Sequence, residues 1–411
     1  MPASPIRKLS PIADQAKSRG IHVYHLNIGQ PDLETPAPMR ERLLQLKDKV
    51  YAYTPSGGTP EYLASLETYY RRLGISLTSS ELVATTGGSE AILFAMCAAA
   101  NDGDEALVVE PYYTNYNALA TLAGVRLVAL TSRVEDGFHL PPREAWEKAR
   151  TERTKLVLLC NPNNPTGTVY RRDEVEMVAA FCRDHGLFLV ADEVYREFVY
   201  DGRDSVSLLQ VPGFEPQVIV VDSLSKRYSA CGIRLGCLAT RNREVHQATL
   251  RMAQARLSPP GLAQFVAVGA QQLGPDYFAG LVKEYQKRRD VLFEGLSSIP
   301  GVFLTRPEGA FYFVARLPIS DSEDFARWLL ADFEYEKGTV MVAPARGFYA
   351  TAGLGANEVR IAYVLQEKDL RAAVRILRRA LEVYTSTRDL EPAAVSAASP
   401  ESAESSTLPE I

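Results

Sequence analysis

Cysteine and histidine are scarce in this chain, and neither is arranged as a ligand set. Of 411 residues, five are cysteine and five are histidine. No Cys-x-x-Cys pair occurs, and no histidine stands at ligand spacing from a cysteine or carboxylate. We therefore expect no metal site, and reduced cysteines that mostly fill the core: Cys97, Cys160, Cys182, Cys231 and Cys237.

The sequence also lacks the features of membrane and nucleic-acid-binding proteins. No run of about 18 apolar residues is present, and residues 1–10 lack the apolar segment of a secretory signal. The formal net charge of -5 provides no cationic surface for a polyanion. We expect a cytoplasmic protein without nucleic-acid or membrane partners.

What remains is the composition of a globular protein, with 46% hydrophobic and 23% charged residues. The length favours two domains, or one large domain with an appendage. From residue 385 the character changes, and residues 393–406 are almost wholly Ala, Ser, Glu and Pro. Such a segment has too few large apolar groups to offset the entropy of ordering, so a disordered tail over residues 386–411 is expected.

Between about residues 85 and 240, short apolar β-rich runs alternate with helical patterns. The strand candidates are residues 106–109, 126–130, 155–159, 187–191, 217–221 and 235–239, and helices are predicted at 89–100, 143–150 and 172–185. Apolar strands flanked by helices indicate a mainly parallel sheet covered on both faces. Such sheets bind ligands at the carboxyl ends of their strands.

A second, smaller α/β region is predicted towards the C-terminus. After residue 261 the pattern indicates long helices broken at 273–275, with one helix over 277–298. Strand candidates follow at 303, 311–315, 340–342 and 359–363, with helices at 322–332 and 367–384. We expect a large domain over residues 31–280 and a small one over 281–385. Residues 1–30 are expected to pack with the small domain or with a partner subunit.

Lys226 is the most informative single residue. It ends the run Asp222-Ser223-Leu224-Ser225-Lys226 after a predicted buried strand, and Arg234 follows eight residues later. An amine in this place can form a Schiff base with an aldehyde cofactor while the hydroxyls and the arginine hold a phosphate. Taken alone, a solvated surface lysine is the commoner explanation.

Two glycine- or proline-rich turns also adjoin predicted elements, one before a helix and one after a strand. Gly87-Gly88-Ser89 precedes a helix whose first N–H groups can bind an anion, although a simple helix start is the alternative. The string Asn161-Pro162-Asn163-Asn164-Pro165-Thr166-Gly167 forms a rigid turn that can hold a side chain such as Asn164 against a ligand. A plain turn is equally compatible with its residue types.

Charged side chains in apolar strands need partners. Asp192 ends a predicted strand, and a protonated ring nitrogen of a bound heterocycle would be a suitable partner, with Tyr195 free to donate to a ring oxygen. A structural Asp bonded to amides is the alternative. Arg360 lies in an apolar strand, and its planar guanidinium can bind the carboxylate of a ligand with two hydrogen bonds. An internal salt bridge is the alternative.

Together these strings resemble fold-type I pyridoxal-phosphate aminotransferases of the aspartate aminotransferase superfamily, class I/II. The resemblance runs from about residue 27 to 384, with the motifs in the family's order and at its separations. It implies an α/β fold whose large domain holds a mainly parallel seven-stranded sheet covered by helices, beside a smaller α/β domain. It also implies pyridoxal 5'-phosphate as the cofactor.

The resemblance assigns a role to each candidate residue. Lys226 matches the lysine that forms the Schiff base and moves the proton, and Asp192 the carboxylate facing the pyridine nitrogen. Asn164 and Tyr195 match the pair at the phenolic oxygen. The phosphate cup is matched by Gly88, Ser89, Ser223, Ser225 and Arg234. Tyr113 matches the aromatic residue that stacks on the cofactor ring. Gly29 and Arg360 match the two contacts to the substrate carboxylate.

The resemblance further implies a homodimer, because Tyr53 matches a tyrosine that reaches the phosphate of the other subunit. The implied activity moves an amino group from an L-amino acid, with aspartate first, to a 2-oxo acid such as 2-oxoglutarate. In some relatives an arginine before a proline pair binds an acidic substrate side chain across the dimer, which makes Arg256 and Arg251 candidates. A surface arginine or one directed at the phosphate is the alternative.

Other activities on this fold stay open at this stage. They are a transaminase of broader specificity, for aromatic amino acids, methionine or alanine, and a lyase that uses the same cofactor. A non-catalytic ligand sensor is a further alternative, but such proteins generally carry a fused DNA-binding domain, and nothing ahead of residue 27 fits one.

Overall fold

The computed structural model describes residues 8–387. The tail predicted over residues 386–411 lies outside the described part except for residues 386 and 387, which are the last two residues of a helix and so are not disordered. Its α-helices are α1 Ser10–Ser18, α2 Ala37–Leu44, α3 Pro60–Arg72, α4 Gly87–Ala99, α5 Asn115–Ala123, α6 Arg143–Ala149, α7 Arg172–Asp184, α8 Arg243–Ala255, α9 Gly261–Ala267, α10 Pro275–Ser297, α11 Ser322–Ala331 and α12 Glu367–Thr387. Its strands are β1 His22–His25, β2 Leu82–Thr85, β3 Glu105–Glu110, β4 Arg126–Thr131, β5 Thr154–Cys160, β6 Phe188–Asp192, β7 Val218–Ser223, β8 Gly236–Ala239, β9 Phe303–Leu304, β10 Tyr312–Arg316, β11 Gly338–Met341, β12 Ala343–Pro344 and β13 Glu358–Ala362.

The largest sheet has seven strands in the order β2-β8-β7-β6-β5-β3-β4. All neighbours pair in parallel except β8, which is antiparallel to both β2 and β7. The mainly parallel seven-stranded sheet is thus confirmed. The pairing places Cys160 of β5 opposite Asp192 of β6, and Asp192 opposite Val221 of β7, so the carboxyl ends of these strands meet at one edge.

The central strands are apolar along their whole length because both of their faces are covered. In β5, Leu158 faces the core cluster that contains Ile92 of α4. Its neighbour Val157 faces the opposite cluster, which contains Val178 of α7. Successive side chains of a strand point to opposite faces, so a sheet between two helical layers needs a continuous apolar run.

A second sheet follows in the C-terminal part, in the order β12-β13-β10-β9 and antiparallel throughout. The N-terminal segment joins this region, because β1 pairs in parallel with β11, His22 lying opposite Gly338. Leu26 then donates its N–H to the carbonyl of Met341 at 2.9 Å. This pairing brings the residues that follow β1 to the edge of the large sheet at which the carboxyl ends of β5, β6 and β7 meet, where the carbonyl of Gly29 accepts a hydrogen bond from Lys226.

Several parts of the chain differ from the sequence-based expectation. The segment after residue 261 holds α9 and a short 3-10 helix, Val268–Gln272, where long helices were expected. There an ideal Cβ on Gly269 would lie 2.4 Å from the carbonyl oxygen of Pro38, so the two backbones are in close contact. The helices α3 and α5 and the four-residue strand β2 were not predicted. None of the helices between residues 8 and 387 combines the length and apolar character that a bilayer crossing needs.

Candidate functional site

A cavity of about 480 Å³ opens at the carboxyl edge of the large sheet. It is lined by the sequence-predicted residues Gly29, Gly88, Ser89, Tyr113, Asn164, Asp192, Tyr195, Ser223, Ser225, Lys226, Arg234 and Arg360. The structure therefore brings together candidates that are spread over more than 300 positions of the sequence. Tyr53 does not line it and is 80% exposed.

Lys226 lies three residues after the end of β7, and it lines the cavity. Its Nζ donates a hydrogen bond to the carbonyl of Gly29 at 2.9 Å and lies 3.8 Å from the sulfur of Cys231. Burial is the main cause that lowers the pKa of this amine; Arg360 and Arg234 lower it further, while Cys231 raises it. A lowered pKa favours the neutral amine, which is the form that attacks carbonyls and accepts protons.

Hydroxyls and backbone groups crowd one end of the cavity. The Ser223 hydroxyl donates to the Ser225 hydroxyl at 2.8 Å, immediately before Lys226. Arg234 has left-handed backbone geometry with φ at 53°, which aims its side chain back across Gly87. An ideal Cβ on Gly87 would lie 2.6 Å from the Arg234 guanidinium. The φ of Gly87, 77°, also favours glycine at this position. Helix α4 begins here, and the first N–H groups of a helix are donors that can bind an anion.

Asp192 closes the floor of the cavity at the end of β6 and is 3% exposed. One carboxylate oxygen accepts from the Tyr116 hydroxyl at 2.6 Å, and the other from the Val194 N–H at 3.4 Å. Burial raises the pKa of Asp192 to about 6. Both hydrogen-bond donors are neutral groups, so a cation placed beside this carboxylate would relieve the cost of burying its charge.

A hydrogen-bonded row crosses the cavity from Arg360 to Tyr195. Arg360 donates to the side-chain oxygen of Asn164 at 3.1 Å, and the amide nitrogen of Asn164 faces the Tyr195 hydroxyl at 3.5 Å. The oxygen of Asn164 must face the guanidinium, because a guanidinium only donates, and this fixes the amide's orientation. Asn164 therefore links Arg360, predicted to contact the substrate carboxylate, to Tyr195, predicted to contact the phenolic oxygen of the cofactor.

Arg360 itself is 2% exposed and only partly satisfied. One guanidinium nitrogen donates to the carbonyl of Asn27 at 2.5 Å, whereas Nε has no hydrogen-bond partner among residues 8–387. The guanidinium also lies 4.5 Å from the ring centre of Tyr312. Among residues 8–387 Arg360 forms no internal salt bridge, because its hydrogen-bond partners are the side-chain amide of Asn164 and the carbonyl of Asn27.

Tyr113 lines the cavity with its hydroxyl accepting from the Asn115 amide at 2.7 Å. Gly29 also lines the cavity, and an ideal Cβ there would be 1.8 Å from the Tyr312 hydroxyl. Only glycine fits this position without displacing the ring. Its carbonyl is the group that Lys226 contacts.

Sequence reasoning missed Tyr116, Tyr312 and Cys231. Tyr116 lies three residues after Tyr113 in α5, and Tyr312 opens β10, which was predicted only as a strand. Cys231 was expected to be one of the mostly buried cysteines, as Cys160 and Cys182 are, yet it lines the cavity. Its place five residues after Lys226 was the one available signal.

Arg256 and Arg251 do not line the cavity. Arg256 pairs with Glu90 at 2.9 Å and donates to the carbonyl of Ser56 at 2.8 Å, so it is held within its own chain. Arg251 is exposed on α8. Among the described residues no group of three or more His, Cys, Asp or Glu side chains is arranged to hold a metal ion.

A family model described as aminotransferase class I and II matches residues 21–405. The aspartate/prephenate aminotransferase of Thermus thermophilus is 32% identical over 377 residues, which cover 89% of this chain and 93% of that protein. The probable aspartate/prephenate aminotransferase of Aquifex aeolicus is 31% identical over 392 residues, covering 92% and 96%.

The fold is also similar to solved structures. An alanine aminotransferase from Pyrococcus furiosus superposes with a TM-score of 0.84 at 29% sequence identity, covering 93% of this chain and 98% of that one. The likeness spans the large sheet, the C-terminal region and the cavity between them, because it covers nearly the whole described chain.

Proposed function

Since the chain belongs to the class I and II aminotransferases, we propose that its cavity moves an amino group from aspartate to a 2-oxo acid such as 2-oxoglutarate. The chain is an enzyme of amino-acid transamination that depends on pyridoxal phosphate. The observation that carries the proposed site is the buried Lys226 amine with its lowered pKa, in one cavity with Asp192 and Arg360.

The residues present fit this cofactor. Asp192 is a buried carboxylate bonded only to neutral donors, which suits a protonated ring nitrogen. The seryl hydroxyls, the start of α4 and Arg234 together supply donors of the kind that a phosphate needs. When bound, pyridoxal phosphate supplies an electron sink for the charge left on the substrate's α-carbon.

Lys226 is proposed to take the proton from the substrate's α-carbon and to return it. Its burial keeps the amine closer to neutrality than an exposed lysine, which this task requires. The carbonyl of Gly29, at 2.9 Å, would orient the amine on the cavity wall. Asp192 is proposed to hold the ring nitrogen in its charged form, while Asn164 and Tyr195 serve the phenolic oxygen.

Arg360 is proposed to bind the α-carboxylate that every amino-acid substrate carries. Its fork matches a carboxylate, and the unpartnered Nε within the described residues leaves donor capacity for one. Binding there excludes water from the guanidinium and sets the substrate's α-carbon beside Lys226. The carboxylate thus serves to position the substrate for proton transfer.

Aspartate as the donor is supported by the names of the Thermus and Aquifex relatives. One observation favours a second candidate, a transaminase for neutral side chains such as alanine. The cations that line the cavity from the described residues are Lys226, Arg234 and Arg360, and all three have proposed tasks. A second substrate carboxylate would then depend on neutral donors such as Ser10 and Asn115, or on a group from a partner subunit.

A homodimer with shared sites is proposed as the active unit. Tyr53, Tyr51 and Leu257 are exposed apolar side chains, and the segments around Tyr53 and Leu257 lie together because Ser56 donates to the carbonyl of Leu257 at 2.5 Å. Sedimentation over a range of protein concentrations tests the dimer. If Tyr53 acts across it, Tyr53→Phe should weaken cofactor binding.

We further propose a cytoplasmic protein with the domain division at about residues 30, 280 and 385. The pairing of β1 with β11 supports grouping the N-terminal segment with the C-terminal region.

The function is tested by adding single amino acids to the purified protein loaded with pyridoxal phosphate. A donor should replace the cofactor's aldehyde-form absorbance by that of its amine form, and a 2-oxo acid should restore it. Aspartate should act at lower concentration than alanine, methionine or phenylalanine. Release of ammonia in place of a stable amine form would identify a lyase and overturn the proposal.

A further inference from the structure

Tyr312 occupies a position in the cavity to which the proposed mechanism assigns no task. It is the first residue of β10 and is 2% exposed. Its hydroxyl lies 2.9 Å from the hydroxyl of Tyr195, and its ring lies 4.5 Å from the guanidinium of Arg360. The residue therefore contacts both the group proposed at the cofactor's phenolic oxygen and the group proposed at the substrate carboxylate.

The ring of Tyr312 has little freedom to move. Its hydroxyl end lies against Gly29, where even an added Cβ would be 1.8 Å from the Tyr312 hydroxyl. The Arg360 guanidinium and the Tyr195 ring also pack against the ring, the latter edge-on with centroids 5.7 Å apart. The position of the hydroxyl is fixed by this packing.

The hydrogen-bonding capacity of Tyr195 decides which way its proton points. A phenol has one proton to donate and two lone pairs to accept with. The Asn164 amide nitrogen, oriented by Arg360, is a donor towards Tyr195. Burial raises the pKa of Tyr195 well above its usual value and that of Tyr312 to about 12, so both phenols keep their protons at neutral pH.

If Tyr312 also donates to Tyr195, both acceptor positions of the Tyr195 oxygen are filled. The Tyr195 proton then has the cavity as its remaining direction, because the oxygen's other neighbours are the two donors.

We propose that Tyr312 is a positioning residue that donates to Tyr195 and so turns the Tyr195 proton towards the phenolic oxygen of bound pyridoxal phosphate. This rests on the proposed role of Tyr195 in the transaminase. Tyr312 acts through Tyr195 and needs no contact of its own with the cofactor. The preorganised proton strengthens the bond to an oxygen that carries negative charge.

The test is a spectroscopic pH titration of the loaded protein without substrate. A donor at the phenolic oxygen stabilises its negative charge and weakens the hold of that charge on the chromophore's titrating proton. Tyr312→Phe keeps the ring and removes only the hydroxyl, so the midpoint of the titration should rise by about 0.5–1 pH unit. Tyr195→Phe should raise it by more.

The double variant Tyr195→Phe/Tyr312→Phe distinguishes an action through Tyr195 from an independent effect. Its midpoint should equal that of Tyr195→Phe alone, because Tyr312 has nothing left to orient. Tyr363→Phe is the matched control: this buried tyrosine bonds to the carbonyl of Gly309 at 3.3 Å and lies outside the cavity, so its midpoint should not change.

An unchanged midpoint in a folded Tyr312→Phe protein, or additive shifts in the double variant, would overturn the proposal. These outcomes differ from failure of the proposed function, in which the unsubstituted protein itself would give no chromophore, or would release ammonia from its substrates in place of forming a stable amine form. Thermal melting of each variant identifies any that do not fold. If Tyr312→Phe fails to fold, Tyr312→Met in the same titration gives the same comparison without the hydroxyl.

Discussion

The amine of Lys226 donates a hydrogen bond to the backbone carbonyl of Gly29 at 2.9 Å. The two residues come from opposite ends of the architecture, because Lys226 follows a strand of the large sheet while Gly29 follows β1, which pairs with β11 of the C-terminal region. This hydrogen bond therefore joins the large sheet to the N-terminal segment that pairs with the C-terminal region. A covalent bond at this nitrogen would form where both contribute to the cavity wall.

Borohydride reduction of the loaded protein should attach the cofactor irreversibly to Lys226. Peptide mass mapping is expected to find the added mass on the peptide that contains this residue. Lys226→Ala should show no label and no transamination, since no other lysine lines the cavity among the described residues. Lys283→Ala, an exposed lysine of α10, is the matched control and should be labelled normally at Lys226. A label on any other lysine would contradict the assignment.

Much of the large sheet could be predicted because its strands are apolar on both faces. Residues 155–159 and 217–221 were predicted as strands, and they form most of β5 and β7. The segment after Gly261 could not be predicted in this way, because its 3-10 geometry depends on the tight approach of Gly269 to Pro38. That contact joins positions more than 200 residues apart, and no local pattern records it.

The candidate site was predictable where a residue type was costly in its place, as with Asp192 and Arg360 in apolar strands. Tyr312 and Tyr116 carried no such signal, since a tyrosine in a strand or amphipathic helix is ordinary core material. Their importance appears only when their hydroxyls are seen within 3 Å of Tyr195 and Asp192. Hydrogen-bond partners from distant elements are a property of the fold.

Gly29→Ala should weaken cofactor binding by about 1–3 kcal/mol, the usual strain of overpacking. The new Cβ would lie 1.8 Å from the Tyr312 hydroxyl, so the ring or the backbone at residue 29 must move, and the contact with Lys226 moves with it. Equilibrium titration with pyridoxal phosphate measures the effect.

The matched control is Gly280→Ala, in the second turn of α10, where an added Cβ meets nothing within 4 Å. It should leave cofactor affinity unchanged and stabilise the fold by about 0.5–1 kcal/mol through helix propensity. Equal affinity in Gly29→Ala and the unsubstituted protein would show that Tyr312 can yield freely.

Arg360→Ala should raise KM for every amino acid and every 2-oxo acid alike. A charge-assisted hydrogen bond contributes about 1.5–3 kcal/mol, which corresponds to about a 10- to 150-fold change. Steady-state kinetics with aspartate, alanine and phenylalanine measure it. Arg316→Ala is the control. Arg316 lies on the neighbouring strand, outside the cavity, and forms an ion pair with Glu135 at 2.6 Å, so its loss should change none of these values. A change confined to one substrate would place Arg360 at a side chain instead of the common carboxylate.

Asp192→Asn should stabilise the cofactor-free protein at neutral pH while weakening the holoenzyme. Burial raises the pKa of Asp192 to about 6 from its ordinary 3.8, so the folded state binds this proton more tightly than the unfolded state does. The group's contribution to the free energy of unfolding therefore falls as pH rises from about 4 to 6, in total by about 3 kcal/mol. Asparagine can still accept from Tyr116 but carries no charge to bury.

Denaturant unfolding of the cofactor-free proteins at a series of pH values measures this difference. The Asp192→Asn protein should be the more stable one at pH 7, and the advantage should disappear below about pH 4, where the buried carboxyl is protonated in both states. With pyridoxal phosphate bound the order should reverse, because the charged carboxylate then has the ring nitrogen as its partner. A pH-independent difference between the two cofactor-free proteins would mean that repacking around residue 192, and not the buried charge, governs stability there.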